Sequence, residues 1–213
     1  MHHARASARL LHGRRPHDGH PSSVALQERS DSIARYHVNT MSEAASFSTT
    51  EPLRNGQQVE IRALRPGDRD ALLAAAERIS ERSLYRRFFS VRREFSEAEV
   101  AAFVDIDFID QVALVAVTRE SGREVVAGGG RYIVVRPGTA ELAFTVVDEF
   151  QGQGIASALL RHLTTLARAA GLREFIAEVL PDNTAMLRVL EHSGLRVQRK
   201  RESGVVHITL QLL

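Results

Sequence analysis

The segment QGQGIA at residues 151–156 carries the clearest chemical signal in the sequence. It follows an apolar run, leads into a helical pattern, and has two glycines, Gly152 and Gly154, one residue apart. Glycine lets a ligand lie against the main chain, and the first N–H groups of a helix bind anions with the help of the helix dipole. The segment therefore favours a site for a phosphate or pyrophosphate.

Two other interpretations of this loop stay open on the residues alone. Glycine is routine in short connections between a strand and a helix, so the pair could serve the turn only. The spacing Gly152-x-Gly154-x-x-Ser157 also approximates the dinucleotide-binding pattern, with Glu174 as its acid. That acid is expected at the far end of the next strand, whereas Glu174 stands at its start, so the dinucleotide match is weak.

Other polar side chains stand near the loop in the sequence. Glu141 lies in the alternating strand pattern ELAFTVV, where it either performs chemistry or is a solvated residue at a strand end. Asn183 precedes a helical pattern and suits ligand binding, an N-cap, or both. Asp148 and Glu149 come directly before the loop. Their charge would oppose a phosphate there, so we expect them to point away from it or to bind a cationic substrate.

The segment SLYRRFFS places two arginines beside two phenylalanines. Such a segment could bind nucleic acid by stacking, but the charge distribution argues against it. Residues 1–40 carry six arginines against three acids, and the remainder has 22 basic and 23 acidic side chains. We therefore predict no nucleic-acid partner. Phe88 and Phe89 are expected in the core, with Arg86 and Arg87 near an acceptor cleft or the phosphates of a cofactor.

Composition excludes several classes of site. The chain has no cysteine, which removes disulfides, thiolate metal sites and a cysteine nucleophile. Its histidines stand at unrelated positions, so no metal site is predicted. No apolar run approaches the roughly 20 residues that a membrane helix needs, and the N-terminus lacks the apolar stretch of a secretory signal. These features predict a cytoplasmic protein without a membrane partner.

The periodicity predicts a mixed α/β domain over residues 56–213, in the order β-α-α-β-β-β-α-β-α-β-β. Ser96 and Glu99 form a capping box for the second helix. The segment before them, residues 81–95, shows no single period. Residues 1–55 are polar and aperiodic and are predicted to be a disordered extension, with folding beginning near Gln58.

With these elements in place, the sequence resembles the GCN5-related N-acetyltransferase (GNAT) superfamily. Its acetyl-CoA loop, (Gln/Arg)-x-x-Gly-x-(Gly/Ala), stands here as QGQGIA, and Asn183 is followed by Gly194 at the family's spacing. The element order agrees from Val59 to Leu213. A narrower resemblance, in RPGDRDALLAAAERISERSLYRRFFS and AELAFTVVDEFQGQGIA, points to bacterial protein-lysine acetyltransferase domains.

The resemblance implies a GNAT fold: a mixed, mostly antiparallel sheet flanked by helices, with splayed strands at the acetyl-CoA site. It implies acetyl-CoA as co-substrate, no metal, and direct transfer in a ternary complex to a primary amine, with a protein lysine favoured. A β-bulge at residues 146–147 is expected to open the sheet. The implied cofactor contacts are Val146, Val147, Gln151, Gly152, Gln153, Gly154, Ile155, Ala156 and Asn183.

The resemblance also implies that Glu141 is the general base. One residue departs from the wider superfamily, in which a tyrosine commonly protonates the leaving thiolate. Here Leu190 stands at that position, as in the protein-acetyltransferase branch. Two rival functions stay open, namely a small-molecule amine N-acetyltransferase and a non-catalytic acyl-CoA sensor.

Overall fold

A computed structural model describes residues 42–90 and 96–213 of the chain. Eight strands form one sheet in the spatial order β1-β2-β3-β4-β5-β6-β8-β7. Every neighbouring pair is antiparallel except β5 and β6, which run parallel. The strands are β1 Ser48–Pro52, β2 Gln58–Ala63, β3 Gln111–Glu120, β4 Arg123–Arg136, β5 Thr139–Val146, β6 Glu174–Val179, β7 Arg196–Glu202 and β8 Val205–Gln211.

Five helices connect and cover these strands: α1 Arg69–Glu77, α2 Glu81–Phe88, α3 Glu97–Val104, α4 Ile155–Ala169 and α5 Thr184–Glu191. Short 3-10 turns precede α1 at Pro66–Asp68 and the glycine loop at Asp148–Phe150. The predicted capping box of α3 is confirmed, since Ser96 and Glu99 cap each other. In the described part of the chain, no helix is both long enough and apolar enough to cross a bilayer.

The alternation of the central strands divides the core between two faces of the sheet. On one face, Leu114 and Phe144 pack in the main hydrophobic cluster with Leu159 and Leu163 of α4. On the other face, Ala113 and its neighbours in β3 pack against Leu72 of α1 and against Leu64 and Ile106. Consecutive side chains of a strand point to opposite faces, so the sheet separates the α4 side from the α1–α3 side.

The N-terminal boundary differs from the prediction. Ser48–Pro52 pairs antiparallel with Gln58–Ala63, so the fold begins before residue 56 and the predicted extension is wrong for residues 42–55. A helical turn at residues 42–45 precedes this strand. The strand escaped detection because it is polar and, as the edge of the sheet, half-buried at most. The remainder of the predicted extension, residues 1–41, lies outside the described residues.

Two further features differ from what the sequence predicts. Residues 81–88, which show no single period, form the charged helix α2, while residues 91–95 lie outside the described residues. No register shift occurs at residues 146–147, where a bulge was predicted. The shifts lie between Ala116 and Val117 in β3 and between Val134 and Arg136 in β4. The opening of the sheet therefore has another cause, which is described below.

A buried ion pair fixes the start of α1 against β2. Arg62 and Asp68 are 6% and 8% exposed, and two N–H···O bonds of 2.7 Å join them. Asp68 also accepts the Arg65 N–H at 2.7 Å. Burial acts to raise the pKa of Asp68, but these bonds outweigh it and hold the pKa below its ordinary 3.8. These bonds hold the RPGD turn, residues 65–68, against β2.

We expect Asp68→Asn to lower the free energy of unfolding by about 3–5 kcal/mol, because it leaves the Arg62 guanidinium buried without a charged partner. Urea unfolding at pH 7 measures this change. The matched control is Asp70→Asn, since the Asp70 side chain is 93% exposed and such pairs contribute about 1 kcal/mol or less. An equal loss in both variants would contradict the assignment.

The same pair predicts a pH dependence. A carboxyl with a lowered folded-state pKa stabilises the fold fully above its ordinary pKa of 3.8, and this contribution disappears as the pH falls through the lower folded-state value. Wild type and Asp68→Asn should therefore converge in stability on acidification below that value. A constant difference down to the lowest pH at which the protein stays folded would contradict this prediction.

Candidate active site

A cleft opens where β5 and β6 separate. The two strands pair only as far as Glu141, which lies opposite Ile176. Beyond that point β5 stays paired with β4 to Val146, and β6 stays paired with β8 to Val179. Each strand thus has a bare edge, and the two edges line a cleft of about 730 Å³. Glu141 lies at its inner end, and the glycine loop lies at the other.

The glycine loop leads from the 3-10 turn into α4. Gly152 and Gly154 have φ angles of 76° and 100°, which L side chains rarely adopt. A side chain at either position would meet no atom within 4 Å. Gly154 is the N-cap of α4, and within the described ranges no side chain caps this helix. The N–H groups of Ile155, Ala156 and Ser157 therefore stay available to an anion.

The main chain of β5 offers hydrogen-bonding groups to the cleft. Val147 N–H donates to the Ala127 carbonyl at 3.0 Å, and the Val147 carbonyl accepts the Phe150 N–H at 2.9 Å. These bonds leave Val147 without a free N–H, and its side chain is buried; its contact with the cofactor stays a prediction. Because pairing alternates along an antiparallel ladder, the main-chain groups of Phe144 and Val146 face away from β4, towards the open edge.

The side chains of the two glutamines in the loop donate hydrogen bonds within the protein. Gln151 Nε2 donates to the Val146 carbonyl at 3.1 Å and to Ser83 Oγ at 3.2 Å. Gln153 Nε2 donates to the Glu149 carbonyl at 3.2 Å. Both were predicted to contact the cofactor. Gln151 lines the cleft, whereas Gln153 does not. Gln151 also occupies the Val146 carbonyl, so Val146 offers its N–H to the open edge.

Arg54, in the turn between β1 and β2, was missed by the sequence reasoning. Its N–H donates to the Gln153 carbonyl and its Nη1 to the Gly152 carbonyl, both at 3.2 Å. The side chain also lines the cleft. Arg54 and Gly152 are 98 positions apart, and no local pattern in the sequence signals such a contact.

The opposite wall of the cleft is the segment before α5. Asn183 lines the cleft and caps α5, since its Oδ1 accepts the Met186 N–H at 3.3 Å. The predicted N-cap is therefore confirmed. Asp182 accepts a hydrogen bond from Arg86 Nη2 at 2.8 Å, and this bond lowers the pKa of the Asp182 carboxyl. The ion pair joins α2 to the segment that precedes α5.

Three charged side chains meet at the inner end of the cleft. Glu141 is exposed and lines the cleft with Arg87. Arg131 pairs with Ala143 across β4 and β5, which places it diagonally from Glu141 on the same face. Burial and the charge of Arg131 lower the pKa of Arg87 to about 10, while Glu141 acts in the opposite direction. Burial likewise lowers the pKa of Arg131, and Glu141 again opposes it.

The remaining predictions on SLYRRFFS have mixed outcomes. Arg86 and Arg87 line the cleft, as expected. Phe88 is half-buried, but Phe89 is 38% exposed, so its predicted core position is wrong. The reason is that α2 ends at Phe89 in a left-handed conformation with φ 56°, which turns the chain away from the helix face.

The acids before the loop do not form a metal site. Glu149 pairs with Arg78, and Asp148 accepts the Ser80 N–H at 3.3 Å. Burial acts to raise the pKa of Asp148, but the bonds from Ser80 and Ser83 outweigh it and lower that pKa. Across residues 42–90 and 96–213, no three His, Asp or Glu side chains cluster closely enough to hold a metal ion.

Comparison with known proteins identifies the fold and its family. A sequence model described as the acetyltransferase (GNAT) domain matches residues 58–196. The chain belongs to the GNAT acetyltransferase family. It is an acetyl-CoA-dependent N-acetyltransferase, and the resemblance seen in the sequence is confirmed. The predicted fold class is confirmed as well, including the splayed strands β5 and β6.

Three GNAT relatives are informative. Acetyltransferase Pat of Mycolicibacterium smegmatis is 36% identical over 168 residues, which are 76% of this chain but 49% of Pat. An acetyltransferase of Pseudomonas aeruginosa is 32% identical over 179 residues, 80% of this chain and 96% of that protein. The solved GNAT domain of S. lividans PAT is 35% identical, with a TM-score of 0.70, over 77% of this chain and 96% of the domain. The chain thus spans about half the length of the Mycolicibacterium relative.

The residues present fit acetyl-CoA. The uncapped start of α4 and the open space at Gly152 and Gly154 suit its pyrophosphate. The free main-chain groups of Phe144 and Val146 suit the amide-containing pantetheine arm, which can bond to a bare strand edge. Asn183 lies on the opposite wall. The geometry of the loop thus fits the anion-binding interpretation, which stays a prediction.

We expect Gly154→Ala to lower the affinity for coenzyme A at least tenfold, because its methyl group would occupy the open space against the loop. Isothermal titration calorimetry measures the dissociation constant. The matched control is Gly122→Ala in the β3–β4 turn, where φ is 81° and a side chain would likewise meet nothing within 4 Å. Both variants should lose roughly 1–2 kcal/mol of stability from the left-handed backbone. Equal affinities in the two variants would refute a ligand at Gly154.

Proposed function

We propose that this acetyltransferase transfers the acetyl group directly to the ε-amine of a protein lysine, with Glu141 as general base. One observation carries the proposal: Glu141 is the last residue at which β5 pairs with β6. It therefore lies at the inner end of the cleft whose other end is the glycine loop. A ligand bound at the loop and along the unpaired edge of β5 would extend to the Glu141 carboxylate.

The chemistry needs a base at that point. A lysine amine has a pKa near ~10.4, so at neutral pH roughly one in a few thousand is unprotonated. Glu141 is exposed and lines the cleft, and its carboxylate accepts no hydrogen bond from the described residues. Its carboxylate is thus free to take a proton from an incoming ammonium or from the attacking nitrogen.

Bound acetyl-CoA supplies the activated acyl group. The amine nitrogen forms a bond to the carbonyl carbon, the C–S bond breaks, and the proton lost by nitrogen passes to Glu141. The N–H groups at the open edge of β5 are donors suited to the oxyanion that develops. Leu190 is 1% exposed and lines the cleft, so no tyrosine acid stands there. A thiol of pKa near ~8.5 leaves readily without one.

Two features support a protein lysine as acceptor. The segments that resemble protein-lysine acetyltransferase domains form the walls of this cleft, namely α2, β5 and the glycine loop. The exposure of Glu141 lets an amine at the end of a long side chain reach it from solvent. Transfer without a covalent enzyme intermediate accords with the absence of cysteine from the sequence.

We expect Glu141→Gln to reduce acetyl transfer to lysine peptides by about 100-fold or more, because the amide cannot accept the proton. Thiol release, measured as a function of pH, gives the rate. The affinity for coenzyme A should stay within about twofold of wild type. The matched control is Glu178→Gln, an exposed acid of β6 that also lines the cleft and should retain activity.

Other outcomes separate the rival functions. Transfer to small amines but to no peptide would replace the protein acceptor by a small molecule. Tight binding of acetyl-CoA without transfer to any amine would indicate a non-catalytic sensor. Transfer that survives Glu141→Gln would remove Glu141 as the base.

A further inference from the structure

Arg87 and Arg131 are two half-buried arginines on the acceptor side of the cleft. Arg131 lies on the sheet face that carries Glu141 and that α1–α3 cover. Arg87, in the last turn of α2, lines both the cleft and the apolar cavity beneath α1–α3, which Arg131 lines as well. The two arginines and Glu141 therefore surround one region.

The hydrogen-bonding capacity of these arginines is mostly unused. Arg131 Nη2 donates to Gln111 Oε1 at 2.7 Å, but its Nε is buried without a partner. Arg87 lies over the ring of Phe88 at 4.8 Å, and its guanidinium makes no hydrogen bond or ion pair with the described residues. A guanidinium has five N–H donors, so the pair presents several donors to a ligand.

The charges at this point are also unbalanced. Burial lowers the pKa of both guanidinium groups, the charge of Arg131 lowers that of Arg87 further, and Glu141 is the acid that opposes the shift at both. Among the described residues, two cations thus face one anion at this point. Elsewhere in the protein comparable arginines are matched: Arg62 has Asp68 and Arg86 has Asp182. A further anion would complete the cluster.

The position of the cluster decides which anion this is. The phosphates of the cofactor belong at the glycine loop, next to the end of β5. Glu141 lies five residues before Val146, about 16 Å away along an extended strand. Arg87 and Arg131 adjoin Glu141, so they stand where the acceptor enters. The anion is therefore carried by the acceptor molecule.

We propose that Arg87 and Arg131 form a carboxylate-binding subsite, and that the preferred acceptor is a lysine with an acidic residue beside it in the protein substrate. A carboxylate accepts paired N–H bonds from guanidinium groups in a defined geometry. It would hold the neighbouring amine against Glu141. The assignment of the acceptor rests on the proposed function of Glu141 as base.

The test compares peptides that differ only at the residues flanking one lysine: glutamate or aspartate, glutamine or asparagine, and arginine. We expect kcat/KM in the wild-type protein to be at least tenfold higher for acidic than for neutral flanks, and lowest for arginine. In Arg87→Gln and Arg131→Gln the acidic-to-neutral ratio should fall towards one. The matched control, Arg119→Gln, changes an exposed arginine of β3 and should keep the ratio.

A binding measurement separates this proposal from the assignment of the base. Calorimetry on Glu141→Gln, loaded with coenzyme A, should show tighter binding of acidic than of neutral peptides even though transfer is lost, and Arg87→Met should abolish that difference. Free amino acids such as β-alanine, compared with propylamine, test a small-molecule source of the same carboxylate. A preference for β-alanine over every peptide would keep the subsite and move it to a small acceptor. Equal binding and equal kcat/KM for acidic and neutral acceptors would overturn the subsite.

Discussion

The site depends on the loss of pairing between β5 and β6 beyond Glu141. Two parallel strands that stay paired to their ends leave no space between them. Here each strand instead continues to pair only with its other neighbour. β4 holds β5 and β8 holds β6. The sheet thus keeps its hydrogen bonds on the outer sides of the gap and leaves unpaired polar groups on the inner sides. A ligand with amide groups can satisfy them.

Side-chain hydrogen bonds hold the loop at the mouth of this gap. Gln151 ties the loop back to β5 and to α2, and Arg54 ties it to the β1–β2 turn. These side chains donate hydrogen bonds to carbonyl oxygens of the protein and, in the case of Gln151, also to Ser83 Oγ. The N–H groups of Ile155, Ala156 and Ser157 in the first turn of α4 then have no capping side chain among the described residues. Motif residues can therefore shape a site through bonds within the protein, as the bond from Gln153 to the Glu149 carbonyl illustrates.

The parts of the structure that the sequence predicted are those with a local physical cause. The 3.6-residue period of α4, the Ser96–Glu99 capping box and the glycines of the loop are all decided by near neighbours. The edge strand β1 escaped because its stability comes from β2 and not from its own polar residues. The opening of the sheet was predicted, but a bulge at residues 146–147 was the wrong cause, since strand pairing is a long-range property.

The same distinction applies to the site. Glu141 and the loop could be proposed from their spacing and from resemblance, whereas Arg54 and Arg131 gain their positions from partners distant in the sequence. Arg87 was noticed beside Phe88 and Phe89, yet its relation to Glu141 required the packing of α2 on the sheet. The balance of charges within such a cluster likewise depends on how the folded chain packs, and composition alone does not predict it.

The two walls of the cleft differ in how they are joined to the rest of the fold. Glu51 of β1 binds Arg161 and His162 of α4 at 2.6 and 2.7 Å, and Arg54 bonds the β1–β2 turn to the glycine loop. The opposite wall is joined to α2 by the exposed Asp182 carboxylate. The cleft is therefore held asymmetrically: contacts at Arg54 and Glu51 tie its glycine-loop side to the N-terminal hairpin, and contacts at Asp182 tie its other side to α2.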